Sequence, residues 1–156
     1  MSHLKYFAYA DHGVRLRELL HYSQAVRVGD CIECSGQCTS FPKVDEPRLT
    51  TSGGWDPKTG DVPKDLSQEL ENIFTNIDLN LRDAGGKGWD QVFKVRLYTT
   101  VLDEENVGKF IALLRQWTPN HTPILTAVVV AGLSAPTLHF EVEVEAHDPE
   151  EAVESN

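Results

Sequence analysis

The residues best suited to proton chemistry in this 156-residue chain lie near its end. Glu141, Glu143 and Glu145 recur there at every second position of Leu138-His-Phe-Glu-Val-Glu-Val-Glu-Ala146. A period of two is that of a β-strand, so the three carboxylates share one face. Alternating acids usually mark the solvated face of an edge strand. A carboxylate within hydrogen-bond reach of a water can also take its proton. The cysteines, Cys31, Cys34 and Cys38, crowd into one segment with C-x2-C-x3-C spacing. A strand over 30–35 would point Cys31 and Cys34 to opposite faces, and no histidine lies close in sequence to complete four ligands. They read as reduced structural thiols, in keeping with their odd number, and neither a metal nor a cofactor is expected. The six histidines are scattered. His121, beside Trp117, reads as a cleft-edge pair or simply as part of a helix-end loop.

Two helices must help to position these groups. Asp65 can cap the first, with Gln68 as its capping-box partner. Leu66, Leu70, Ile73, Ile77, Leu81 and Ala84 then recur every three or four residues, until Gly85-Gly86 ends the run. Asp103 can cap the second, Glu104 and Glu105 suit its positive end, and Val107, Phe110, Ile111 and Leu114 form its stripe. Pro119 stops it. Strands are expected over 92–100, where Lys94, Arg96 and Tyr98 share a face, and over 138–146. A third, over 124–131, is nearly continuous in apolar residues and should be covered on both faces. Residues 25–28 and 31–35 form a hairpin about Gly29-Asp30, and 5–10 supply a further strand. The order β, β-β, α, β, α, β, β gives an α+β domain, a mixed sheet with two helices packed on one face.

Composition narrows the function. The length suits one domain, here 1–148, with a long loop over 40–63 that holds four of the eight prolines, and an acidic tail over 149–156. No apolar run approaches the roughly 18 residues of a membrane span, and Met1-Ser2-His3-Leu4-Lys5 has no signal-peptide character, so a cytoplasmic protein without a membrane partner is expected. The net charge of −10 argues against a nucleic-acid partner.

Tyr22-Ser-Gln-Ala-Val-Arg-Val-Gly-Asp30, followed by Cys34-Ser-Gly-Gln37, closely resembles the opening of the Rid family of imine/enamine deaminases (YjgF-like, formerly L-PSP endoribonucleases). The likeness continues through Asp56-Pro-Lys-Thr-Gly60, Asp83-Ala-Gly-Gly86, Val92-Phe-Lys-Val-Arg-Leu-Tyr98 and Thr122-Pro123 to the acidic last strand. It covers roughly 20–148 in unbroken order. The resemblance implies a chorismate-mutase-like fold and a homotrimer, its sheets packed into a central barrel, with small-molecule clefts between neighbouring subunits.

It also implies roles for residues. A glutamate on the last strand would position the attacking water, and this is Glu141, with Glu143 the alternative. Tyr22 and the turn at Ser35 and Gly36 would line the cleft, with Trp117 at its edge. The family's carboxylate-gripping arginine falls at Leu125, which offers no charge; Ala127 stands where a cysteine often follows. Arg96 is a candidate replacement cation, although a surface charge is the plainer reading. Trp55, in the long loop, could cover the cleft or plug the trimer surface. The expectation is a Rid-type hydrolase or tautomerase for a reactive imine or enamine, distinct from the standard 2-iminopropanoate deaminase. The alternative is a non-catalytic trimer that binds a small ligand or regulates a partner. RNA cleavage, attached to the family's older name, fits the acidic charge least.

Overall fold

The long helix owes its position to a stripe of five side chains. Leu70, Ile73, Phe74, Ile77 and Leu81 are fully buried, each stabilising by roughly 1.5–3 kcal/mol relative to exposure. They belong to α2 (Leu66–Asp83), the longest helix among the described residues, which are 2–37, 65–134, 136 and 138–149 of this computed structural model. Asp65 caps it by accepting from Ser67 N (3.1 Å). The cap is one-sided, because the Gln68 amide donates to Asn72 Oδ1 (3.0 Å) rather than returning to Asp65 as a capping box would. At the other end Gly86 N donates to Leu81 O (2.9 Å), a closure that needs the left-handed φ of 86° at Gly85.

The remaining elements, in chain order, are β1 (Lys5–Phe7), α1 (His12–Leu20), β2 (Ala25–Val28), β3 (Cys31–Gln37), a 3-10 turn (Gly88–Gln91), β4 (Val92–Thr99), α3 (Glu104–Trp117), β5 (Ile124–Val129) and β6 (Phe140–His147). The strands form one sheet in the order β1-β2-β3-β6-β4-β5. Only β4 and β5 run parallel; the other neighbours are antiparallel. The α+β class and the mixed sheet agree with the sequence. On β6, Phe140, Val142, Val144 and Ala146 are buried, alternating with the three glutamates. The buried side faces α2, and the aromatic cluster of Phe74, Trp89, Phe110 and Trp117 extends that core to α3.

Two expectations need correction. A third helix, α1, stands where none was read; Asp11 makes no side-chain cap, and Gly13 sits against the Tyr9 ring. β6 is central in the sheet, so its glutamates are not the face of an edge strand. β5 is an edge strand, and every one of its residues is exposed in the single chain, which leaves the cover expected on both its faces to a second chain. The 40–63 loop lies outside the described residues.

Candidate functional site

The sheet face away from α2 is polar. β4 and β6 pair in register as Lys94↔Glu145, Arg96↔Glu143 and Tyr98↔Glu141, so acids stand opposite cations or a phenol. Lys94 Nζ lies 2.8 Å from Glu145, and the Arg96 guanidinium spans Glu143 (3.4 Å) and Glu145 (3.0 Å). Tyr98 OH is 3.3 Å from Glu143. The Lys94 hydrogen bond, with the charges of Lys94 and Arg96 behind it, holds the Glu145 carboxyl below its ordinary value. Partial burial first, then the Glu143 charge, pushes the Tyr98 phenol up. Glu143 and Glu145 therefore belong to an ionic ladder. Arg96 is engaged with them.

Glu141 sits differently. The pairing of β3 with β6 shifts between Cys34↔Val144 and Gln37↔Val142, placing an extra residue at Ser35-Gly36. Such a bulge bends the strand and re-aims its groups. The Glu141 carboxylate lies on this bulge: a Cβ at Gly36 would come within 2.2 Å of its Oε1. Only glycine leaves room for the carboxylate to rest on the backbone there.

Behind the bulge lies a buried amide network. Gln24 O accepts from Ser35 N (2.9 Å), Ser35 Oγ (3.1 Å) and Asn80 Nδ2 of α2 (2.7 Å). Gln37 Nε2 donates to Gln24 Oε1 and to Ser35 O, both at 3.1 Å. Gln24 Nε2 donates to Tyr22 OH (3.0 Å). Tyr22, Ser35 and Gly36 are thus held by one scaffold, and the Glu141 carboxylate rests against it at Gly36. Sequence reading missed Gln24, Gln37 and Asn80 as site-builders. A signal existed for Asn80, a polar residue that interrupts an apolar helical stripe.

Other expected residues are placed elsewhere. Leu125 is in register with Val95, whose side chain faces the helices, whereas Glu141 is in register with Tyr98 on the opposite face. One chain does not bring Leu125 and Glu141 together. Trp117 joins the aromatic core, its ring 6.5 Å from Phe74 and 6.3 Å from Trp89, rather than lining the polar face. His121 Nε2 lies 2.7 Å from Val92 O, at the helix-end loop. Cys34 is buried, which pushes its thiol up to about 12, while Cys31 is half-buried. No group of three or more metal-ligating side chains occurs among the described residues. Trp55 and Cys38 lie outside them.

The sequence matches the Endoribonuclease L-PSP family over residues 13–148. The chain belongs to the Rid, or YjgF-like, family. A RutC family protein of Aquifex aeolicus is 29% identical over 126 residues, covering 80% of this chain and 84% of the relative. The crystal structure of RidA from an Antarctic Psychrobacter is 26% identical, with a TM-score of 0.65 over 90% of this chain and 93% of that one. Rv2704 of Mycobacterium tuberculosis, from the YjgF/YER057c/UK114 family, shares the fold at 20% identity, with a TM-score of 0.67 over 92% and 98%. The chorismate-mutase-like architecture expected from the sequence is thereby shown. No helix among the described residues is long and apolar enough to cross a membrane.

Proposed function

We propose that this Rid protein is a hydrolase or tautomerase for a reactive imine, enamine or related intermediate, working in a cleft between subunits of a homotrimer. The observation that carries the reading is the Glu141 carboxylate seated on Gly36 at the Ser35-Gly36 bulge. Imine hydrolysis adds water to the C=N carbon and then releases ammonia from the carbinolamine, leaving a carbonyl. Water attacks readily only if a base takes its proton, and a poised carboxylate does this. Gln24 Nε2 donates to the Tyr22 oxygen, which helps to fix the phenol that orients the substrate.

The substrate is one that does not rely on a carboxylate grip. Leu125 stands where the resemblance puts the arginine, and hydrogen bonds to a charged group contribute about 1.5–3 kcal/mol each, which leucine cannot supply. Leu125 and Glu141 lie on opposite faces of one chain, so a cleft using both positions takes them from two subunits. The same leucine supports a second reading, a trimer that binds a small apolar ligand without turning it over.

The test compares two imines, each trapped with semicarbazide if it survives. An amine oxidase supplies an imine without a carboxylate, and an amino-acid oxidase supplies 2-iminopropanoate. The wild type is expected to clear the first and spare the second, Glu141→Gln to lose the activity, and Leu125→Arg to gain partial activity on 2-iminopropanoate. Brisk clearance of 2-iminopropanoate by the wild type would refute the assignment of Leu125. If neither imine is cleared and Leu125→Arg stays folded and inert, the binding reading stands.

A further inference from the structure

Glu69 is out of place on α2. It is a charged residue on the apolar stripe, only 2% exposed. Its Oε1 accepts from the backbone N–H of both His139 (3.0 Å) and Phe140 (3.1 Å), and its Oε2 lies 3.0 Å from His139 Nδ1. These two residues lead into β6, and Glu141 is the next side chain. The Phe140 ring is buried on the helix side of the sheet, so the strand entrance is fixed by its side chain and by its backbone together. The Glu141 carboxylate lies close against Gly36, where an added Cβ would stand 2.2 Å from its Oε1, so its place depends on where the strand backbone holds it. Burying a carboxylate is costly unless donors surround it, and here the donors belong to the segment that must not move.

We infer that Glu69 is a positioning residue for Glu141, a clamp from α2 that fixes the backbone at 139–140 and so keeps the carboxylate on the Ser35-Gly36 bulge. The inference rests on the reading of Glu141 as the site carboxylate, but its test needs no turnover.

The experiment follows the Glu141 side-chain carboxyl by carbon-13 NMR titration, and the His139 ring by nitrogen-15 NMR, in the full chain. Glu69→Gln keeps an oxygen for both N–H groups and turns an amide toward Nδ1. The imidazole should therefore switch from the Nδ1–H to the Nε2–H tautomer while the Glu141 titration is unchanged. Glu69→Leu fits the stripe but accepts nothing, and should move the Glu141 midpoint by at least about half a pH unit. Ile77→Val, which weakens the same helix away from the clamp, should leave it in place. In the wild type, the His139 and Phe140 amides should exchange about 100-fold or more slower than open chain, a readout that survives if Glu69→Leu fails to fold. A Glu141 midpoint unmoved by Glu69→Leu, equally moved by Ile77→Val, or moved by Glu69→Gln would overturn the clamp, as would fast exchange at 139–140. A wild type inert toward every imine would sink the hydrolase reading and leave these outcomes intact.

Discussion

Gly36 tests the site at its smallest scale. An added methyl would stand 2.2 Å from Glu141 Oε1, but that oxygen ends a flexible side chain, so the carboxylate swings away and the fold survives. Gly36→Ala should therefore change stability by less than about 1 kcal/mol while imine clearance falls 10- to 100-fold, since a misplaced group can cost about 100-fold. Thermal melts and kcat/KM on one preparation decide it; a large loss in Tm with activity retained would remove Glu141 from the chemistry. Much of this site was legible. Alternation put the three acids on one face, and the resemblance pointed to Glu141, Tyr22 and the Ser35-Gly36 turn. Glu69 stood out only as a polar residue on an apolar stripe, and Gln24 and Gln37 did not stand out at all, because their partners across the fold have no local pattern in the sequence. Glu69 is 70 residues from the histidine it holds. Trp117 carries no such signal, because an aromatic at a helix end looks the same in sequence whether it faces a cleft or a core; in the single chain its ring packs against Phe74 and Trp89.

The elements differ in how plainly they announce themselves. α2 and α3 combine a capping aspartate with a periodic stripe, and both caps form, Asp103 accepting from Asn106 N at 2.8 Å. α1 has neither signal: it is nine residues long, opens without a side-chain cap and contains Gly13, a poor helix former. Contacts around Tyr9, against which Gly13 packs, hold it instead. This makes α1 sensitive to acid. Burial first, then the nearby Arg15 charge, lowers His12 from 6.5 to about 4. The folded state thus takes up His12's proton later than the unfolded chain does. The neutral ring's contribution is complete above 6.5 and is lost as pH falls toward 4. Glu145 and Asp103 are likewise lowered, from ordinary values of 4.5 and 3.8, so the stability their ionised forms contribute is lost only as pH falls below those values. Denaturant melts between pH 6.5 and 4.5 should show stability falling with acid, and His12→Gln should flatten that slope. An unchanged slope would mean that α1 opens without consequence for the rest of the fold.

The whole molecule carries an unfinished edge. β5 exposes 64% of Ile124, 56% of Val129, 43% of Val128 and 38% of Leu125, and apolar side chains project from both of its faces. A long apolar edge with unpaired backbone groups invites association, and soluble chains cover or charge such edges. The apolar run over 124–131 was legible, but what covers it was not, because periodicity reports burial without saying which chain provides it. The proposed homotrimer supplies the cover from a second copy. Light scattering after size exclusion should give three times the 17.4 kDa chain mass. Ile124→Lys is the sharper test. A lysine buried without a partner costs several kcal/mol, and this one would be buried only in the assembly, since the position is largely solvent-facing in one chain. The variant should therefore become monomeric while keeping its circular dichroism spectrum, because the core under α2 involves no β5 side chain. It should also lose imine clearance, because a cleft that takes Glu141 from one subunit and the Leu125 position from the next exists only in the assembly. A monomeric variant with full activity would place the whole site within one chain; a trimeric variant would move the interface away from β5.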